Sequence, residues 1–86
     1  MNKIWSDIAW DEYLYWQKMD KNTVKKINAL IKDIERNGLS TGIGKPEPLK
    51  YRKAWSRRID SEHRLVYNQD GNGNLLIFSC KGHYED

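Results

Sequence analysis

Cysteine occurs once in the 86 residues, at Cys80, so the chain can form no internal disulfide and lacks the thiols for a cysteine-built zinc site. No apolar run comes near the roughly 20 residues that a membrane-spanning helix requires, and no signal-peptide-like apolar core follows Met1. The two histidines, His63 and His83, stand far apart, with no H-x-x-x-H pair or carboxylate cluster beside them. No metal and no other cofactor is therefore expected. A phosphate-cradling glycine loop, a nucleophile elbow and a reactive cysteine arrangement are likewise missing. These absences predict a small, reduced, cytoplasmic globular protein, with residues 1–86 forming a single domain and no membrane contact.

Aromatic side chains and localised charge are present in its place. A chain of this length buries only about 60–65% of its unfolded surface, so its core must come from bulky side chains. Four Trp, five Tyr and one Phe supply them. The net charge is +3, but residues 45–64 hold seven basic residues against three acidic ones, and the rest of the chain holds eight against nine. A positive centre in a balanced chain is the footprint of a polyanion binder. A solvated basic face explains the same charges equally well.

The period of the apolar residues divides the chain into elements. Lys3-Ile4-Trp5 reads as a short strand, and Ser6 or Asp7 supplies an N-cap to a first helix. In that helix Trp10, Tyr13, Leu14 and Gln17 share a face, which Ile8, Tyr15 and Trp16 widen. Asp20 caps a second helix with Val24, Ile27, Leu30, Ile31 and Ile34 at helical spacing, and Asn37-Gly38 stops it. Gly38 to Pro48, with three glycines and two prolines, is predicted to be loop throughout. The period then falls to two: Leu49 and Tyr51 alternate with charged neighbours, Trp55, Arg57 and Ile59 share one face, and His63 to Tyr67 alternate again. Asp70-Gly71-Asn72-Gly73-Asn74 marks a hairpin, and Leu75 to Cys80 reads as a central strand covered on both faces. The expected fold class is α+β: a strand, an antiparallel two-helix hairpin, then an antiparallel β-meander with the helices on one side.

Such a meander can bring Glu47, Arg58, Arg64, His83 and Tyr84 to one side of the sheet. A carboxylate, a histidine, guanidinium groups and a phenol suit metal-independent RNA cleavage. One group takes the proton of the attacking 2′-hydroxyl, a second protonates the departing 5′-oxygen, and arginine steadies the phosphate between them. Each of these residues taken singly has an ordinary explanation as a surface charge, a structural ring or a frayed end. Residue spacing alone supports an RNA-binding α+β domain.

Longer motifs carry a resemblance. Trp10-Asp11-Glu12-Tyr13-Leu14-Tyr15-Trp16-Gln17, the string Gly44-Lys45-Pro46-Glu47-Pro48-Leu49-Lys50, Trp55-Ser56-Arg57-Arg58-Ile59, Glu62-His63-Arg64-Leu65-Val66-Tyr67 and His83-Tyr84 follow one another nearly end to end. In this order and spacing they resemble the YoeB/Txe toxins. The resemblance implies a RelE-like fold and a bacterial type II toxin that cleaves mRNA in the A site of the ribosome. It implies Glu47 as general base, His83 as general acid, Arg64 as phosphate stabiliser and Tyr84 as the residue that positions substrate. Lys50 and Arg58 match basic residues that hold RNA. Lys45, Arg52, Lys53 and Arg57 extend the basic segment that is expected to meet mRNA and ribosomal RNA.

The implied partner is a YefM/Phd-type antitoxin, with operator DNA reached only through the toxin–antitoxin complex; whether the free toxin is a homodimer stays open. His63 takes a structural or peripheral place. Three departures from the family pattern stand out: the segment before Trp55 is short, Gly82 replaces an aromatic and should loosen the approach to His83, and Glu85-Asp86 follow Tyr84. The alternatives are a weakened toxin that acts as an antitoxin-binding co-repressor and a ParE-like gyrase poison.

Overall fold

The computed structural model describes residues 1–83. The chain runs β1 (Lys3–Trp5), α1 (Asp7–Met19), α2 (Lys21–Asn37), β2 (Glu47–Pro48), β3 (Trp55–Arg58), β4 (Arg64–Gln69) and β5 (Leu75–Ser79). The helix ends follow their capping residues. Ser6 Oγ accepts from the Ala9 amide (3.0 Å) and donates to the Phe78 carbonyl (2.9 Å), so one hydroxyl both starts α1 and ties it to β5. Asp20 Oδ1 accepts from the amides of Asn22 and Thr23, and its Oδ2 accepts from Thr23 Oγ1. Gly38 closes α2, donating its amide to Ile34 O.

The five strands form one sheet in the order β1-β5-β4-β3-β2. β5 lies antiparallel to β4, and the meander continues through β3 to β2; β1 joins the other side of β5 in parallel. The sheet is therefore mixed, with the first strand of the chain beside the last. A parallel neighbour requires a crossover, and the helical hairpin belongs to it. The core lies between helices and sheet: Ile27, Leu30 and Ile34 of α2 meet Leu65 and Tyr67 of β4 and Leu75 and Ile77 of β5, all fully buried. Each such aliphatic side chain contributes about 1.5–3 kcal/mol of transfer free energy.

Three local expectations are corrected. The inward face of α1 is Ala9, Tyr13 and Trp16, whereas Ile8, Trp10, Leu14 and Tyr15 lie exposed. Ala9 carries almost no hydrophobic signal, and the outward residues are as apolar as the inward ones, so periodicity fixes the phase poorly. The strand expected around Leu49 and Tyr51 sits instead at Glu47–Pro48, inside the stretch read as loop, where Glu47 pairs with Ser56 and Pro48 with Trp55. Strict alternation in β4 is broken by a register shift between Val66 and Tyr67, and Leu65, Val66 and Tyr67 are all buried in consequence.

Candidate active site

β2, β3 and β4 place their ends at one cleft of about 240 Å³, lined by Lys45, Glu47, Pro48, Leu49, Lys50, Ser56, Arg58, Arg64 and His83. Six of the ten residues singled out in the sequence come together there: Lys45, Glu47, Lys50, Arg58, Arg64 and His83. Glu47 arrives on the edge strand β2, directly opposite Ser56. Arg58 and Arg64 face each other across the β3–β4 ladder. Like charges in directly opposed positions are unfavourable in an empty sheet, and an anion between them removes the repulsion.

Each side of the cleft is held by backbone bonds. The Arg58 amide donates to Gly44 O at 2.7 Å, pinning the loop that leads to Glu47. Lys45, next in the chain, has φ 53°, the left-handed region that a non-glycine residue seldom occupies. Arg64 Nη1 donates to the carbonyls of Asp60 (2.8 Å) and His63 (3.1 Å), which fixes the plane of its guanidinium. In the turn below it, Asp60 Oδ1 accepts from the amides of Glu62 and His63. Burial pushes the Asp60 carboxyl up, but those amide bonds and the neighbouring positive charge together hold the group below its ordinary value.

His83 reaches the cleft through a tether rather than a strand. Gly82, with φ 90°, donates its amide to His63 Nδ1 (2.8 Å) and accepts the Arg64 amide at its carbonyl (3.0 Å). Glycine suits a backbone that must turn through positive φ. The segment before His83 is thus held at two points, not loosened as the loss of an aromatic had suggested. His63 stacks edge-on against Trp16 at 4.8 Å between ring centroids. Accepting at Nδ1 puts the hydrogen of its neutral ring on Nε2, 3.4 Å from Glu62 Oε2.

Arg57 corrects the expectation of an RNA-binding side chain. It is completely buried, and all five of its N–H groups are spent inside the protein. Nε donates to Tyr67 Oη (2.9 Å), Nη1 to Asp33 Oδ2 and Ile43 O, and Nη2 to the carbonyls of Gly38 and Thr41. The Tyr67 hydroxyl donates in turn to Leu39 O at 2.7 Å. Arg57 lies on the same strand face as the inward-pointing Trp55, so alternation had placed it correctly and the charge had suggested otherwise. Asp33 and Tyr67 complete this network, and no local sequence signal pairs them with Arg57, from which they stand 24 and 10 residues away.

The remaining candidates lie apart from the cleft lining. The Arg52 guanidinium lies 4.4 Å from the centroid of the Phe78 ring. The Lys53 carbonyl accepts from Asn68 Nδ2, and its side chain is exposed. Tyr84, with Glu85 and Asp86, falls outside the described residues. Among the described residues no helix is long and apolar enough to cross a membrane.

The chain matches, over residues 5–84, the family model for the YoeB-like toxin of bacterial type II toxin–antitoxin systems. It is 56% identical over 86 residues to Toxin YoeB of Escherichia coli K12, an alignment that covers 98% of this chain and 100% of that one. Two solved structures from Staphylococcus aureus resemble it closely. One is a YoeB dimer, with a TM-score of 0.91 and 50% identity; the other is a heterotetrameric YoeB–YefM toxin–antitoxin complex, with a TM-score of 0.89 and 52% identity. In both, 98% of each chain is covered.

Proposed function

The chain belongs to the YoeB-like toxins of bacterial type II toxin–antitoxin systems, and from that membership we propose that it is a metal-independent endoribonuclease that cuts mRNA in the A site of the ribosome. The observation that carries the reading is the meeting of Glu47, Arg58, Arg64 and His83 in one cleft. Glu47 takes the proton of a ribose 2′-hydroxyl as its oxygen attacks the adjacent phosphorus. The P–O5′ bond breaks, and His83 delivers a proton to the departing 5′-oxygen. The products are a 2′,3′-cyclic phosphate and a 5′-hydroxyl. Arg64 and Arg58 take up the charge that accumulates on the phosphate oxygens, where their planar forks fit best. Tyr84 follows His83 directly and is assigned to hold the substrate nucleotide. Lys45 and Lys50 add positive charge at the rim for the RNA backbone.

An open cleft of this size holds one phosphate group and little of the flanking strand, so the ribosome supplies the remaining orientation of the substrate. The cognate partner is a YefM/Phd-type antitoxin, as in the staphylococcal complex. Operator DNA is reached through that complex, and the free toxin pairs with a second copy, as the staphylococcal protein does.

Primer extension on a defined mRNA, with ribosomes stalled at a known codon, tests the reading. The expected result is a cut within the A-site codon that disappears in His83→Ala and Glu47→Gln, each lowering the rate about 10²–10⁴-fold. Products ending only in 3′-hydroxyls would overturn the mechanism. No cleavage by a folded protein that binds its antitoxin would overturn the nuclease and favour a co-repressor.

A further inference from the structure

The connection between β2 and β3 is short, closed on itself and fastened to the sheet. The Leu49 amide donates to Ala54 O at 2.9 Å, and the Ala54 amide to Arg52 O at 2.8 Å. Asn68 Nδ2, on β4, donates to Lys53 O at 2.8 Å. The Arg52 guanidinium lies over the ring of Phe78 on β5. At the tip of this fastened loop Tyr51 is 80% exposed, the most exposed large apolar side chain among the described residues. Lys50 Nζ lies 5.7 Å from the centroid of its ring, and Lys50 also lines the cleft.

The Tyr51 ring at the tip of this loop lies outside the hydrophobic core. Its flat face, flanked in sequence by Lys50, Arg52 and Lys53, has the composition of a surface for single-stranded nucleic acid, where a base stacks on an aromatic ring and cations follow the backbone. Lys50 joins the two parts, since it lines the cleft and its ammonium lies near the ring.

We propose that Tyr51 is the stacking platform for an unpaired RNA base next to the phosphate held in the cleft. The proposal rests on the endoribonuclease reading above and adds to it a contact outside the reacting groups. Because every base has a flat face, the platform holds the strand without choosing its sequence, and the loss of the ring weakens binding rather than the chemical step.

The test compares wild type with Tyr51→Leu, Tyr51→Ala and Tyr51→Trp. The probe is a short 2′-O-methyl oligoribonucleotide, which 2′-hydroxyl attack cannot cleave, read by fluorescence anisotropy. Tyr51→Leu and Tyr51→Ala are expected to raise Kd about tenfold or more, with Tyr51→Trp close to wild type and melting temperatures unchanged. On programmed ribosomes the same two variants should raise KM more than they lower kcat. Equal binding by wild type and Tyr51→Leu, at any affinity, overturns the proposal. Binding that depends on Tyr51, from a wild type that leaves ribosome-bound mRNA intact, would overturn the nuclease reading and leave the platform standing.

Discussion

Arg57 on β3 and Asp33 near the C-terminal end of α2 form an ion pair, and the loop from Gly38 to Ile43 is wound around the guanidinium that completes it. The Asp33 side chain is only 14% exposed and that of Arg57 is sealed from solvent. The arrangement makes a loop with no regular structure of its own as firm as a strand. It leaves no room at Gly42 (φ 130°), where an added Cβ would come within 1.8 Å of Asp33 Oδ2. That loop delivers Lys45 and Glu47 to the cleft, so a residue outside the cleft decides where its carboxylate stands.

Arg57→Ala is accordingly expected to act on the fold. It takes a donor from Asp33, the Tyr67 hydroxyl and three loop carbonyls at once, and breaking a buried pair in this way should lower Tm by at least about 10 °C. Arg57→Lys has at most three donors for five acceptors and should recover only part of the loss. Thermal melting by circular dichroism measures both. A variant that melts like wild type would show that the network carries no stability.

Acid should weaken the same network. The side-chain bond from Arg57 holds the Asp33 carboxyl below its ordinary 3.8, against the opposing effect of burial and with help from the Ile43 amide and Asn37. A carboxyl lowered in the folded state stabilises it fully above pH 3.8, and the stabilisation drains away as the pH falls through the folded value. Asp60 and Asp70 are lowered as well and carry the same sign. Urea midpoints taken between neutral pH and about pH 3 should fall at the acid end in wild type. In Asp33→Asn that fall should be shallower, starting from a lower neutral value.

The tether at Gly82 separates presentation from stability. His63→Phe keeps a ring against Trp16 but removes the acceptor of the Gly82 amide. Gly82 is exposed, so water replaces the lost bond and Tm should move by less than about 5 °C. The cleavage rate should nonetheless fall about tenfold, because His83 follows directly and its position counts. An unchanged rate would make the tether incidental to catalysis.

Cys80 should be chemically silent. Burial first, and the negative charge of Glu12 second, push its thiol up to about 12. An aromatic disulfide reagent near pH 8 is expected to leave the folded protein untouched and to titrate one thiol in denaturant. Rapid reaction of the native protein would contradict the burial of Cys80 against Ala9 and Trp16.

The parts of this structure legible in the sequence are those decided by neighbours in the chain. Ser6, Asp20 and Gly38 mark helix ends because capping is a contact over two to four residues, and the Asp70–Asn74 turn is specified the same way. The residues of the cleft were legible as a set because the family motifs carry them. What escaped depends on distant partners. The phase of α1 is set by which side meets β5, the parallel seating of β1 by a strand some 70 residues later, and the burial of Arg57 by an aspartate on another element. In each case a local signal was available, but only the tertiary partner gave it direction.

The seating of β5 between β1 and β4 has a consequence for the order of events during synthesis. The first strand has no partner until the last is made, and Ser6, Glu12 and Trp16 near the start of the chain all bond to backbone groups at Ile77, Phe78 or Cys80. A nascent chain that stops before β5 therefore has an open sheet and an uncovered α1, and does not yet contain Gly82 or His83. Closure depends on contacts between the two extremes of the sequence, the most non-local kind and the slowest to form.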